Sequence, residues 1–384
     1  MKFLFLILTI AQTILSIRVF KRMLSTAGGE RIQSIKTEVS ASDQERIAVI
    51  VPVLHEYHRL APCLEGLMAQ GKEVTEILVV DGGSTDGTQD LVRFYGLRDP
   101  RIRLIDASPI PPAWNGKVWG LQTGLSSATP HANWILTVDA DVHPRAPLSR
   151  ALLAQARKAE LAALSIATLQ EIEGTGQGLL HPSLLTTLVY RFGIPGKIMD
   201  RVSEVQANGQ CFLFQREILE KLGGFMITRD SICEDVTIAR TFVSAGYPVA
   251  FYEADNLITA KMYSNWRETW HNWTRSLPMH DRFSGGQTLL GWLEILLVQA
   301  LPLPLLSLLM LSKSPFKRVA LFNGVLTMMR LGVLFGTARA YQRKPWSYWF
   351  SPLCDFPVAL QLGVSALRRR HTWRGRTLIR GGRL

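Results

Sequence analysis

Cysteine is scarce in this chain. Its 384 residues include four, Cys63, Cys211, Cys233 and Cys354, scattered and with no C-x-x-C pair. That excludes a disulfide framework and a thiolate metal site, and it fits a reducing compartment. The histidines show no metal-binding spacing, and His143, two residues past an acidic pair, reads as a solvated loop residue. Zinc-finger and RNA-binding signatures are absent, as are internal repeats and low-complexity tracts. No basic, glycine-rich phosphate loop follows the first apolar run, because residues 52–58 are neither, and this disfavours a nucleotidyltransferase. Acids are missing from residues 368–384, which hold seven Arg. With apolar segments just before it, this tail reads as a cytoplasmic surface for anionic lipid, with no nucleic acid partner.

What is present begins with charge and length. Lys plus Arg number 43 and Asp plus Glu 31, a net charge of +12. The length suits one large domain with an appendage. Residues 3–17 are almost wholly apolar, lack a cleavage site, and precede Arg18, Lys21 and Arg22. Residues 1–22 therefore read as an uncleaved membrane anchor, and 23–46 as a polar linker. From 47 to 252, buried strands at 47–52, 77–80, 102–105, 133–138 and 209–214 alternate with helices at 57–69, 85–95, 116–127 and 236–245. Such alternation predicts a parallel sheet covered by helices. Segments 288–311, 319–340 and 346–367 then approach membrane-spanning length, within an interfacial or transmembrane region of 278–367. A cytoplasmic middle domain and a cytoplasmic basic tail require an even number of crossings after Gln287. The first segment holds Glu294, Pro302 and Pro304. It is expected to be re-entrant or interfacial, and the other two to cross.

Four acidic stations carry the chemistry. Asp139-Ala140-Asp141 ends the apolar run 134–138, so both acids leave the carboxyl end of a buried strand, where open α/β sheets bind ligands. Two hard oxygen donors there suit Mg²⁺ or Mn²⁺. Glu56 follows the first strand in Pro52-Val53-Leu54-His55-Glu56. Asp81 ends the second strand and opens Asp81-Gly82-Gly83-Ser84-Thr85-Asp86-Gly87-Thr88, whose glycines allow a tight turn beside a ligand. Glu234-Asp235 starts a later helix. Acids at two separate stations permit a general base to work apart from a cation that neutralises a leaving phosphate.

In their order and spacing these stations resemble family-2 glycosyltransferases with a GT-A fold, a Rossmann-like mixed sheet with helices on both faces. The match runs over 47–277. The resemblance implies that Pro52, Glu56, Asp81 and Gly83 line the nucleotide, that Asp141 ligates the metal with Asp139 on ribose or metal, and that Asp235 is the base with Glu234 beside it. The run Pro111-Pro112-Ala113-Trp114-Asn115-Gly116-Lys117-Val118-Trp119-Gly120 is similar to a P-x-G-W-x-G-K-x-W-A segment of the membrane-bound subgroup associated with carotenoid and hopanoid pathways. Ala113 replaces its glycine. Lys117 is then a candidate partner of the donor diphosphate, or else a surface lysine at a helix start. Residues 266–277 occupy the place of the family's Q-x-x-R-W motif without its glutamine. Arg275 is a candidate diphosphate contact, and Trp273 either stacks on a substrate or belongs to an amphipathic interfacial helix.

The expected activity is inverting, metal-dependent transfer of a sugar from a nucleotide-diphosphate sugar to a hydroxyl of a carotenoid- or hopanoid-like membrane lipid. The expected setting is a bacterial plasma membrane or cyanobacterial internal membrane. Two alternatives stay open: a polyprenyl-phosphate glycosyltransferase, and a non-catalytic membrane scaffold that keeps the fold.

Overall fold

The structure is a computed structural model. It describes residues 2–32, 45–112, 114–229, 231, 233–273, 285–312 and 315–368, with the backbone of 370–373 and 376–379. The chain divides into two compact units, one of residues 29–170 and 195–262, the other of 1–28, 171–194 and 263–384. The expected run of 47–277 is thus interrupted, because residues 171–194 join the helical unit.

In the α/β unit the strands are β1 Ile47–Val53, β2 Val74–Asp81, β3 Ile102–Asp106, β4 Trp134–Val138, β5 Val142–Pro144, β6 Ala163–Ala167, β7 Leu169–Glu171, β8 Lys197–Met199, β9 Cys211–Gln215, β10 Val249–Glu253 and β11 Ile258–Ala260. Eight of them form one sheet in the order β3-β2-β1-β4-β9-β6-β10-β8. The first four are mutually parallel, while β9 runs against both β4 and β6. Strand side chains alternate between faces. Ile47, Val49, Val51 and Val53 of β1 join one buried cluster, and Ala48 and Ile50 join the other. With both faces covered, the strand reads as an unbroken apolar run rather than a polar–apolar alternation. Helices Leu60–Met68, Thr88–Arg98 and Leu148–Lys158 contribute to the first cluster, and Gly116–Ser127 and Glu234–Ser244 to the second. This is the expected GT-A architecture, a mixed sheet with helices on both faces.

Three boundaries move in ways that matter. The helix after β2 begins at Thr88 rather than 85, because Gly87 takes a left-handed φ of 92° and separates the acidic turn from the helix. Strand β9 begins at Cys211, which leaves Gly209 and Gln210 in a turn. The later helix begins at Glu234, so Glu234 and Asp235 occupy its first turn, where the helix dipole favours acids.

The helix Gly116–Ser127 lies unusually close to the sheet. A Cβ on Gly124 would stand 2.4 Å from Ile50 Cγ2, and one on Gly120 3.1 Å from Pro52 Cβ. This pair of small residues lets the helix settle onto β1 and brings its first turn level with the carboxyl ends of the parallel strands.

Among the described residues of the helical unit, three helices are long and apolar enough to cross a membrane: Lys2–Thr26, Lys317–Ala340 and Trp346–Leu367. A bent pair, Gly285–Ala300 with Pro302–Leu311, turns through 40°. Contacts along Lys2–Thr26 set the depth of the others. The Phe5 and Phe316 rings lie 4.6 Å apart. Gln12 Nε2 donates to Asn323 Oδ1 at 2.9 Å and to the Leu297 carbonyl at 3.0 Å. Arg18 and Arg22 pair with Glu294 at 3.1 and 2.9 Å. Hence Lys317–Thr337 runs in the same direction as the N-terminal helix, and the bent pair runs opposite.

The last apolar segment behaves differently. Tyr348 Oη donates to the Leu334 carbonyl at 2.6 Å, and Arg330 Nε donates to Asp355 at 2.7 Å, so Trp346–Cys354 descends beside the end of Lys317–Thr337. From Asp355 the chain turns back along the bent pair: Gln299 Nε2 donates to Asp355 at 2.9 Å and Trp292 Nε1 to the Ala359 carbonyl at 2.9 Å. The helix Gly174–Phe192 packs in the same unit, where Ser183 Oγ also donates to Asp355, at 2.6 Å.

Replacing Gly124 with Val should overpack the helix–sheet contact and cost about 1–3 kcal/mol of stability, a lowered denaturation midpoint in the full-length protein.

Candidate active site

The loops that follow β1 and β2 are laced together by the polar residues of the D-G-G-S-T-D-G-T run. Ser84 Oγ accepts the His55 N–H at 2.9 Å, Thr88 Oγ1 accepts that of Glu56 at 2.9 Å, and Asp86 accepts that of Tyr57 at 3.2 Å. His55 is held at a φ of 56°, a conformation that costs energy in a residue with a Cβ and that here turns the chain out of β1. Asp81 is fully buried. Its carboxylate accepts the Gly83 N–H at 3.1 Å, the Ser84 N–H at 2.9 Å and Gln89 Nε2 at 2.7 Å. Gly83 meets this carboxylate with a φ of 100°, a value glycine adopts at no steric cost. Asp81 thus organises its own loop. Pro52 sits in β1 beneath Gly120. Glu56 is buried and pairs with Arg59 at 3.0 Å, a partner the sequence reading did not single out.

Beyond β4 the antiparallel neighbour becomes decisive. Val138 is in register with Cys211, so the start of β9, not its end, meets the end of β4. The Asp139 N–H donates to the Gln210 carbonyl at 3.1 Å, and the Gly209 N–H donates to Asp235 Oδ2 at 2.8 Å. One turn therefore joins the D-x-D to the Glu234-Asp235 pair.

Lys117 completes the junction. Its Nζ lies 2.7 Å from Asp139 Oδ1 and 2.7 Å from Glu234 Oε1. Asn115 aims it: Oδ1 caps the helix by accepting the Lys117 N–H at 3.0 Å, while Nδ2 donates to the Ser231 carbonyl at 3.0 Å. The lysine is thus neither a loose surface group nor alone at a helix start. Burial works against its charge, but Asp139 and Glu234 together outweigh it and hold the ammonium well above its ordinary value. A Cβ on Gly209 would stand 3.0 Å from this Nζ and 3.1 Å from Glu234 Oε1.

Two carboxyl groups remain for chemistry. Asp235 accepts the N–H groups of Gly209 and Val236, both at 2.8 Å, which fixes its orientation. Burial, then its neighbour Glu234, pushes it up to about 7 against the pull of Lys117. Asp141 is likewise pushed up to about 7, by burial first and Asp139 second, with Arg59 opposing. Asp141 Oδ1 is sealed from solvent and accepts no hydrogen bond. A buried anionic oxygen with no donor has the character of a cation ligand. Among the described residues no three His, Cys, Asp or Glu side chains form a metal cage. The acids therefore fit a divalent ion that takes one or two carboxylates from the protein and completes its shell with phosphate and water.

His143 is exposed on β5, and Arg275 falls outside the described residues. Trp273, in the helical unit, is buried with its ring 4.0 Å from that of His181, whose Nδ1 lies 3.0 Å from Tyr341 Oη.

A parallel-rich sheet whose strand ends gather acids in this way defines the GT-A class of glycosyltransferase fold. A mannosyltransferase from Pyrobaculum calidifontis, solved with GDP-mannose and Mn²⁺, superposes with a TM-score of 0.51 over 91% of this chain and 99% of its own, at 18% identity, a likeness of fold. The family model for glycosyl transferase family 2 matches residues 48–223, the stretch that holds β1 to β9. A probable glycosyltransferase of Bacillus subtilis, YdaM, is 24% identical over 60% of this chain. The 4,4'-diaponeurosporenoate glycosyltransferase of Staphylococcus aureus is 25% identical over 64% of it. The matches span 53% and 64% of these relatives' own lengths.

Replacing Asn115 with Ala removes the cap and the tie to Ser231. It should cost about 0.5–2 kcal/mol, read as a lowered denaturation midpoint, whereas Asn115→Asp, which restores the cap but cannot donate to Ser231, should recover only part of that loss.

Proposed function

We propose that the protein is an inverting glycosyltransferase that moves a sugar from a nucleotide-diphosphate donor to a hydroxyl of an apolar, membrane-held acceptor. The observation that carries this reading is the meeting of Asp139 and Glu234 on one lysine, with Asp141 and Asp235 beside them, at the ends of parallel strands. The loops after β1 and β2 line the nucleotide, with Glu56 and the backbone of Gly83 as contacts and Asp81 holding the loop in shape. Asp139 and Asp141 hold a divalent cation, Mg²⁺ or Mn²⁺, which when bound neutralises the leaving diphosphate. Asp235 takes the acceptor proton. Of the acidic pair it is the better base, since Glu234 is committed to Lys117, and its raised proton affinity suits work near neutrality. The acceptor oxygen then attacks the anomeric carbon opposite the diphosphate.

The hydroxyl acceptor is preferred to a polyprenyl phosphate because Lys117, the cation that acts on Asp235, is already paired with Asp139 and Glu234. Arg240 is buried in its helix and Arg229 is exposed. The carotenoid-related name of the staphylococcal relative supports an apolar acceptor.

The apolar helices of the helical unit support membrane attachment, and their contacts favour a different topology from the one expected. The crossings are 2–26, the bent pair 285–311, and 317–337; the segment 346–367 enters and returns on one face. Two crossings after Gln287 satisfy the required parity. Arg18, Lys21, Arg22 and the Arg-rich tail then share the cytoplasmic face, outnumbering Lys313, Lys317 and Arg318 on the other.

Replacing Asp235 with Asn should lower turnover by at least about a hundredfold, the usual weight of a general base, while donor affinity measured by calorimetry stays within a few-fold. Retained turnover would remove Asp235 from the role. In the unmodified enzyme kcat/KM should fall about tenfold per pH unit as pH drops below about 7, because a base whose proton affinity is raised is present above that pH and lost beneath it. For topology, an impermeant maleimide on intact cells should label a cysteine at Ser312 and spare one at Gln342, in a Cys354→Ser background. The reverse pattern would restore a crossing 346–367.

A further inference from the structure

Lys117 occupies the position of greatest negative charge in the site. Four carboxylates surround it: Asp139 and Glu234 in direct contact at 2.7 Å each, and Asp141 and Asp235 within electrostatic reach. The lysine side chain is one-fifth exposed, and its ion pair is seated against Gly209, where a Cβ would crowd it. Asp139 therefore has two claims on it. As half of the D-x-D it is a ligand for a divalent cation, yet its Oδ1 already holds a cation built into the fold. An oxygen shared by an ammonium at 2.7 Å and a divalent ion would force two positive charges into close contact.

We infer that Lys117 and the divalent cation compete for Asp139, and that the donor diphosphate resolves the competition by drawing the ammonium onto its own oxygens. This rests on the donor-site reading above. Lys117 is then a positioning residue with two partners. With the carboxylates it keeps the D-x-D and the Glu234-Asp235 turn together. With the diphosphate it frees Asp139 for the metal. The consequence is a thermodynamic coupling. Nucleotide raises metal affinity, and metal must raise nucleotide affinity by the same factor, commonly about 5–150-fold for coupled sites. Glu234 stays beside the lysine in both arrangements, which assigns the first acid of the pair a purpose apart from proton transfer.

The test uses full-length protein in detergent micelles or nanodiscs, with Mn²⁺ binding followed by electron paramagnetic resonance of the free ion, alone and with UDP or GDP. In the unmodified protein, one nucleotide should tighten Mn²⁺ binding by about tenfold or more. In Lys117→Gln, Mn²⁺ alone should bind more tightly than to the unmodified protein, and the tightening by nucleotide should shrink towards none. Lys117→Arg keeps the charge and should keep most of the coupling. It also separates loss of charge from loss of fold, since both variants must show cooperative thermal unfolding. Unchanged Mn²⁺ affinity in folded Lys117→Gln, with coupling intact, would overturn the exchange and leave the donor site standing. An unmodified protein that binds neither nucleotide in the presence of Mn²⁺ would overturn the donor-site reading and the exchange with it.

Discussion

One ion-paired lysine joins two parts of the α/β unit that lie far apart in the chain. Lys117 stands between Asp139, at the end of β4, and Glu234, in the first turn of a helix almost a hundred residues later. Four acids gathered without a cation would repel one another, and burial would add to the cost. The lysine makes the gathering tolerable but does not neutralise it, and Asp141 and Asp235, raised by burial first and by a neighbouring acid second, retain their proton affinity against its pull. A site with that residual charge is suited to a metal and to a base working near neutrality.

The rest of the α/β unit serves that junction. Gly120 and Gly124 let the helix carrying Lys117 sit directly on β1. Asn115 sets its first turn and ties it to the segment ahead of Glu234. The reversal of β9 places Gly209 and Gln210 beside Asp139 and Asp235, so backbone N–H groups orient one acid and a backbone carbonyl pins the other. On the opposite flank, Ser84, Thr88 and Asp86 are spent on backbone N–H groups of the loop after β1, and Asp81 on groups of its own loop. That flank is consequently preorganised: its conformation does not depend on what it binds.

The helical unit follows a different pattern. Its long helices expose apolar side chains, while Gln12 pairs with Asn323, Arg22 with Glu294, and Arg330 with Asp355. Polar groups in such helices are stable when they satisfy one another, and each pair also fixes the depth at which two helices meet. Arg330, Asp355, Gln299 and Ser183 form the largest of these groups and mark where the last apolar segment reverses.

The sheet and the four acidic stations were legible because they depend on local pattern. Apolar runs of strand length, acids at their ends and glycines in the turns are properties of neighbours in sequence. The roles of Arg59, Gly209 and Asn115 were not legible, since each acts through a partner brought close by folding. Asp81 illustrates the difference. Its position at a strand end marks it as a ligand contact, and only the folded loop reveals that its oxygens are already occupied by Gly83, Ser84 and Gln89. The same holds for the long apolar segments, whose length and hydropathy were visible but whose mutual register was not. By itself the sequence determined a helix-covered α/β sheet with acids at its carboxyl ends and long apolar helices elsewhere in the chain, because periodicity and composition act along the chain. The tertiary structure alone decided that β9 runs backwards, that Lys117 lies between two carboxylates and that the last apolar segment doubles back, because these are contacts between residues that sequence keeps apart.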